Sequence, residues 1–128
     1  MVNRLICVLH VDDVEEEFII VRELLSRLEG ITFDIQWASD TKTALQMIRS
    51  QGTFDICLVD YYLGPDIGLD FVRTVMADGL MIPFILMSGQ QDQAVHHEAL
   101  HLGVRQCLDK NEITTSLLLR TLQSAMRN

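Results

Sequence analysis

The sequence predicts an α/β fold: an open, doubly wound sheet of five parallel strands in the order 2-1-3-4-5, with helices on both faces. Three observations predict it. Five short apolar runs alternate with five longer stretches of helical period. The runs are almost continuously hydrophobic, as strands covered on both faces are. Five strand–helix units are too few for a closed barrel of eight, which leaves the open sheet with right-handed crossovers. The 128 residues, 48% apolar and 22% charged, suit one domain over residues 1–128, and folding a chain of this size buries roughly two-thirds of its unfolded surface. No linker, internal repeat or low-complexity stretch interrupts it.

Leu5 to Val11, with Ile6, Val8 and Val11, is the first predicted strand. Glu15 to Glu29 follows as a helix with Phe18, Val21, Leu25 and Leu28 on one stripe; Asp13 with Glu16 suits its start and Gly30 its stop. Thr32 to Ala38 alternates as a second strand. Asp40 to Ser50 is a short helix carrying Ala44, Leu45 and Ile48, closed near Gly52. Phe54 to Val59 forms a third strand ending at Asp60, and a loop with Gly64, Pro65 and Gly68 leads to a helix over Leu69 to Ala77 that stops at Gly79. Ile82 to Met87 is the fourth strand, where Pro83 fits only at the first residue or on an edge. Asp92 to Leu102 is helical, with Ala94, Val95, Ala99 and Leu102 inward and Gly103 as stop. Val104 to Leu108 is the fifth strand and Thr114 to Met126 the last helix.

The formal charge is −8 and the pI near 4.7, which argues against direct binding to a nucleic-acid backbone, since that needs clustered Lys and Arg. No apolar run approaches the ~18 residues of a membrane span, and no signal-peptidase site follows the first run; a cytoplasmic chain is expected. Cys7, Cys57 and Cys107 are odd in number, lie in apolar stretches and have no CxxC spacing, so they read as core thiols.

In doubly wound sheets ligands bind outside the carboxyl ends of the strands, at the switch point between the first and third. The unusual polar residues sit there: Asp12 and Asp13 after strand one, Asp60 after strand three, Ser88 after strand four and Lys110 after strand five. In the order 2-1-3-4-5 three carboxylates converge, and each raises the cost of ionising the others. Either one stays protonated or a cation sits among them. An all-oxygen set open to water suits a hard cation, and Mg²⁺ is the natural one beside a phosphoryl ligand. A Lys ammonium and a Ser hydroxyl hold phosphoryl oxygens, and an Asp carboxylate attacks phosphorus to give an acyl phosphate.

These residues carry a resemblance. Val11-Asp12-Asp13, Ile56-Cys57-Leu58-Val59-Asp60, Gly68, Met87-Ser88-Gly89 and Leu108-Asp109-Lys110 are spaced 47 residues from Asp13 to Asp60, 28 to Ser88 and 22 to Lys110. Over essentially its whole length the chain resembles a response regulator receiver domain of two-component signalling systems, which has the flavodoxin-like fold. The resemblance implies that Asp60 accepts the phosphoryl group. Asp13 would bind Mg²⁺ directly, Asp12 through water, and the backbone carbonyl of Tyr62 would be a further ligand beside Asp60. Ser88 would hydrogen-bond a phosphoryl oxygen and Lys110 would ion-pair with it. The donor would be a phosphohistidine on a sensor histidine kinase or phosphotransfer protein. Catalysis would be limited to self-phosphorylation and slow autodephosphorylation. Phosphorylation would add charge and acceptor oxygens, and the resemblance implies that these draw in Ser88 and re-form the surface of helix four, strand five and helix five.

Three positions depart from the family pattern. Cys107 stands where a Tyr or Phe is usual, three residues before the Lys. Asn111 replaces a cis-proline, and a cis bond before a non-proline costs about 3 kcal/mol. Gly64 stands where a proline is usual, with Pro65 next. These leave room for a second function: a receiver-like module for protein interaction or dimerisation, with weak or no phosphorylation. A cofactor-binding relative of flavodoxin ranks last, because acidic residues replace the Gly-rich phosphate loop after strand one.

Other residues receive plainer readings. His97 and His101 share a solvated helical face, while His96 points elsewhere; His10 is a hydrogen-bonded core histidine. Glu15, Glu16 and Glu17 form an acidic turn at a helix N-terminus, or part of a kinase-docking surface. Tyr62 either covers the acyl phosphate or is a partly exposed loop aromatic. Leu117, Leu118 and Leu119 cannot all face the core at 100° steps, which leaves one for a receiver–receiver dimer or an adjacent output domain.

Overall fold

The computed structural model describes residues 4–52, 54–89 and 93–126. Strand β1 (Arg4–Val11) leads into helix α1 (Glu15–Ser26), β2 (Ile31–Ala38), α2 (Thr41–Gln51) and β3 (Ile56–Asp60). Two two-residue strands, β4 (Tyr62–Leu63) and β5 (Asp66–Ile67), form an antiparallel hairpin before α3 (Gly68–Ala77), β6 (Phe84–Ser88), α4 (Gln93–Leu102), β7 (Gln106–Asp109) and α5 (Thr115–Met126). The main sheet has the order β2-β1-β3-β6-β7, parallel throughout. Counted along the sheet strands alone, that is the predicted 2-1-3-4-5.

Period-two alternation divides the core between the faces. Ile6, Val8, Ile56, Leu58, Ile85 and Met87 pack beneath Val21 and Leu25 of α1 and Leu118, Leu122 and Ala125 of α5. Their neighbours Leu9, Val11, Cys57, Val59, Phe84 and Leu86 pack beneath α2, α3 and α4, against Ala44, Ile48, Phe71, Val75 and Ala99 among others. The central strands are buried on both faces, and the parallel register brings the carboxyl ends of all five strands to one edge.

The differences from expectation are local. Helix α1 starts after Val14, which makes no side-chain cap; the Val14 N–H instead donates to Asp12 Oδ1 at 2.9 Å, so Asp12 and not Asp13 closes this turn. The helix ends three residues before the expected Glu29, with Arg27 as its C-cap. Asp40 caps α2 by accepting from Thr43 N–H at 2.7 Å, and Gly52 ends it in the left-handed region. The expected loop after Asp60 is the β4–β5 hairpin, with Gly64 at its turn at φ +67°. Pro83 lies just before β6, an interior strand, and donates no ladder bond; its carbonyl accepts from Cys57 N–H. On α4, Val95 and Ala99 are buried and Leu102 half-buried, but Ala94 is exposed: it sits one step around from Val95, outside the inward stripe. Asp92 lies outside the described residues. Of the cysteines only Cys57 is fully buried; Cys7 and Cys107 are half-buried, and all three are free thiols.

Candidate functional site

The carboxyl ends of β1, β3, β6 and β7 meet at one edge. Asp12, Asp13 and Asp60 each offer an oxygen, and these oxygens lie within 4.8 Å of one another. Asp12 is 0% and Asp60 7% exposed, whereas Asp13 faces solvent. Two carboxylates are therefore desolvated beside a third that opens to water.

Lys110 begins a short 3-10 turn after β7. Its Nζ lies 2.8 Å from Asp60 Oδ2 and 3.5 Å from Asp12 Oδ2, and it also pairs with Glu17 Oε2. Burial would drive the ammonium to lose its proton, but hydrogen bonds to Asp60 and Glu17 hold its pKa above the ordinary value. Burial raises the Asp60 carboxyl, with the charges of Asp12 and Asp13 adding to that against the pull of Lys110. For Asp12, burial pushes up, but His10, Glu17, the Val14 N–H and Lys110 outweigh it and hold the group well below the usual carboxylate range. Burial and the hydrogen bond to Asp12 push Glu17 up to about 7.

Gly68 explains how β3 and α3 pack so close beside Asp60. A Cβ there would meet the Asp60 carbonyl oxygen at 2.2 Å, while the Gly68 N–H donates to Tyr61 O at 2.7 Å. Ser88 ends β6 almost fully buried, in register with Asp109 of β7. The structure thus gathers Asp12, Asp13, Asp60 and Lys110, and sets Ser88 at the same edge. Tyr62 is 59% exposed on the hairpin, its ring edge-on to Tyr61 at 4.6 Å. His10 is fully buried, yet its Nε2 reaches Asp12 Oδ2 only at 3.5 Å and neither ring nitrogen makes a well-formed hydrogen bond. His97 and His101 are exposed.

Sequence reasoning missed two participants. Glu17 reads as one of three equivalent glutamates, and only the rotation of α1 turns it inward. Asn111, whose Nδ2 donates to Gly89 O at 3.0 Å, ties the loop after β7 to the loop after β6. Among the described residues every peptide bond is trans.

Fold and site together define a doubly wound α/β domain with a lysine-bridged carboxylate cluster at the tips of its central strands. The chain belongs to the response regulator receiver domain family, whose model matches residues 8–122. It is 27% identical over 118 residues to the alkaline phosphatase synthesis transcriptional regulatory protein SphR of Synechococcus elongatus, over 84% of this chain but 45% of that relative; the chain spans under half the length of this curated relative. The signal receiver domain of an HD domain-containing protein from Pseudomonas fluorescens Pf-5 matches with a TM-score of 0.81 at 25% identity, over 96% of this chain and 95% of that one. Chemotaxis protein CheY4 of Vibrio cholerae matches with a TM-score of 0.82 at 23% identity, over 94% and 98%, a likeness of fold. Receiver domains of this family are modules of two-component phosphorelay signalling. Receiver domains generally bind Mg²⁺, and the all-oxygen donor set here fits a hard cation.

Proposed function

We propose that this receiver accepts a phosphoryl group from a phosphohistidine donor onto Asp60, in a Mg²⁺-dependent reaction, and changes conformation to signal. The observation that carries the reading is Lys110 Nζ at 2.8 Å from Asp60 Oδ2 in a pocket shared with Asp12 and Asp13. An Asp60 carboxylate oxygen attacks phosphorus, the bond to the donor nitrogen breaks, and the imidazole leaves with that electron pair. Asp12, Asp13 and Asp60, with the Tyr62 carbonyl, would hold Mg²⁺, which supplies charge neutralisation for the phosphoryl oxygens. Lys110, already paired with Asp60, would ion-pair with a phosphoryl oxygen, and Ser88 would offer its hydroxyl to another. Burial of Asp60 keeps competing water away and strengthens each of these interactions. Such a donor draws its phosphoryl group from ATP, which supports a cytoplasmic location for the chain.

A second reading, an interaction or dimerisation module with weak phosphorylation, draws support from Cys107 and from the Asn111–Gly89 tie between the two loops. One experiment separates them. Incubation with Mg²⁺ and acetyl phosphate should give an alkali-labile adduct that is absent in Asp60→Asn and absent without Mg²⁺. No adduct under these conditions leaves the interaction module.

A further inference from the structure

The acidic first turn of α1 contains three glutamates, and they are not equivalent in the fold. Glu15 and Glu16 are exposed, whereas Glu17 turns into the site. Its Oε2 pairs with Lys110 Nζ, the ammonium that also faces Asp60 Oδ2 at 2.8 Å and Asp12 Oδ2 at 3.5 Å. The pair is sheltered, with side-chain exposures of 34% for Glu17 and 16% for Lys110.

An ammonium has three N–H donors, and here three carboxylates face them. Phosphorylation of Asp60 would bring new anionic oxygens that need the same donors. Asp12 and Asp60 belong to the carboxylate cluster suited to a divalent cation, but Glu17 does not. A cation seated on Asp12, Asp13 and Asp60 therefore relieves charge around those three, while the cationic partner of Glu17 remains Lys110. The Glu17 carboxylate and a phosphoryl group on Asp60 are then rivals for one ammonium, and two like charges in a half-desolvated pocket repel.

We infer that Glu17 is a positioning residue for Lys110: it anchors the ammonium on the α1 side and competes with the phosphoryl oxygens for it, limiting how much and how long Asp60 stays phosphorylated. This rests on Asp60 being the acceptor, as proposed above. In the step concerned, an Asp60 oxygen attacks the phosphorus of acetyl phosphate, the phosphorus–oxygen bond to the acetyl group breaks, and acetate leaves with the electron pair.

The test uses the whole chain with Mg²⁺ and acetyl phosphate at pH 8. Intact mass follows the labelled fraction, and its decay after removal of the donor gives the lifetime. Glu17→Gln keeps the shape and an oxygen acceptor but removes the charge. It should raise the steady-state labelled fraction or the lifetime by about threefold or more. Glu16→Gln, which removes the same net charge one residue away, should match the wild type. Glu17→Asp keeps the charge but draws it back by one methylene, and should also exceed the wild type. Urea midpoints for all variants show that each is folded, and a purely structural role would not lengthen the life of the adduct. A labelled wild type with Glu17→Gln and Glu17→Asp at or below its level would overturn the inference alone. A wild type that takes no label removes the acceptor assignment and this inference together.

Discussion

The Trp37 indole Nε1–H donates a 2.7 Å hydrogen bond to the backbone carbonyl of Asp12, tying edge strand β2 to the turn that carries two of the clustered carboxylates. Trp37 is the sole tryptophan of the chain, and its ring stacks on Phe18 at 5.9 Å. Emission from this one residue should therefore report on the site. Titration with Mg²⁺ should change it in a saturable way, and EDTA should restore it. Asp13→Asn should move the midpoint at least about tenfold to higher Mg²⁺, as loss of a ligand or its support does. An emission indifferent to Mg²⁺ across the millimolar range would speak against a cation beside Asp12.

Gly68 is the position where a single methyl group does most harm to the site. Its Cβ would lie 2.2 Å from the Asp60 carbonyl oxygen and 3.1 Å from the carbonyl carbon, backbone atoms held by the β3 ladder. Gly68→Ala should lower stability by about 3 kcal/mol, the upper end of overpacking costs, read as a fall in the urea midpoint. It should also lower Asp60 labelling in the fraction that remains folded, because α3 or β3 has to shift. Unchanged stability would mean that the approach of α3 to β3 is looser than the structure shows.

Asp40 gives a pH dependence whose sign follows from its role. Its carboxylate accepts the Thr43 N–H at 2.7 Å at the start of α2, and that bond holds its pKa below the ordinary 3.8. A depressed folded-state pKa stabilises above the unfolded value, and the stabilisation disappears as pH falls through the folded one. Asp40→Ala should cost about 1 kcal/mol at pH 7, and its difference from wild type should shrink below about pH 4. Asp40→Asn keeps an acceptor, so it should lose little at pH 7 and show no such narrowing. Urea denaturation at pH 7 and pH 3 reads all three proteins. A constant gap between Asp40→Ala and wild type at both pH values would refute the cap assignment.

Much of this molecule was legible in one dimension because its signals are local. Strand runs such as Ile56 to Val59 and the stripe of Phe18, Val21 and Leu25 declare themselves by period, and their alternation with helices leaves few topologies. That Asp12, Asp60 and Lys110 are neighbours was legible because the strand tips of such a sheet meet at its switch point. The Leu117–Leu119 run required that not all three be buried, but not which: Leu118 is fully buried while Leu117 and Leu119 are half-buried. Strands of two residues, as in the β4–β5 hairpin, are too short for any period to show.

By itself, then, the order of residues determined the five parallel strands, their two dry faces and the edge at which acidic and basic groups collect, since hydrophobic period and chain connectivity suffice for these. Only the folded arrangement decided that Asp12 rather than Asp13 closes the first turn, that Ala94 faces outward, and that Glu17 rather than Glu15 or Glu16 meets Lys110. Those outcomes depend on the rotation of each helix over the sheet. That rotation is set by the fit of many side chains at once, which no window of neighbouring residues contains.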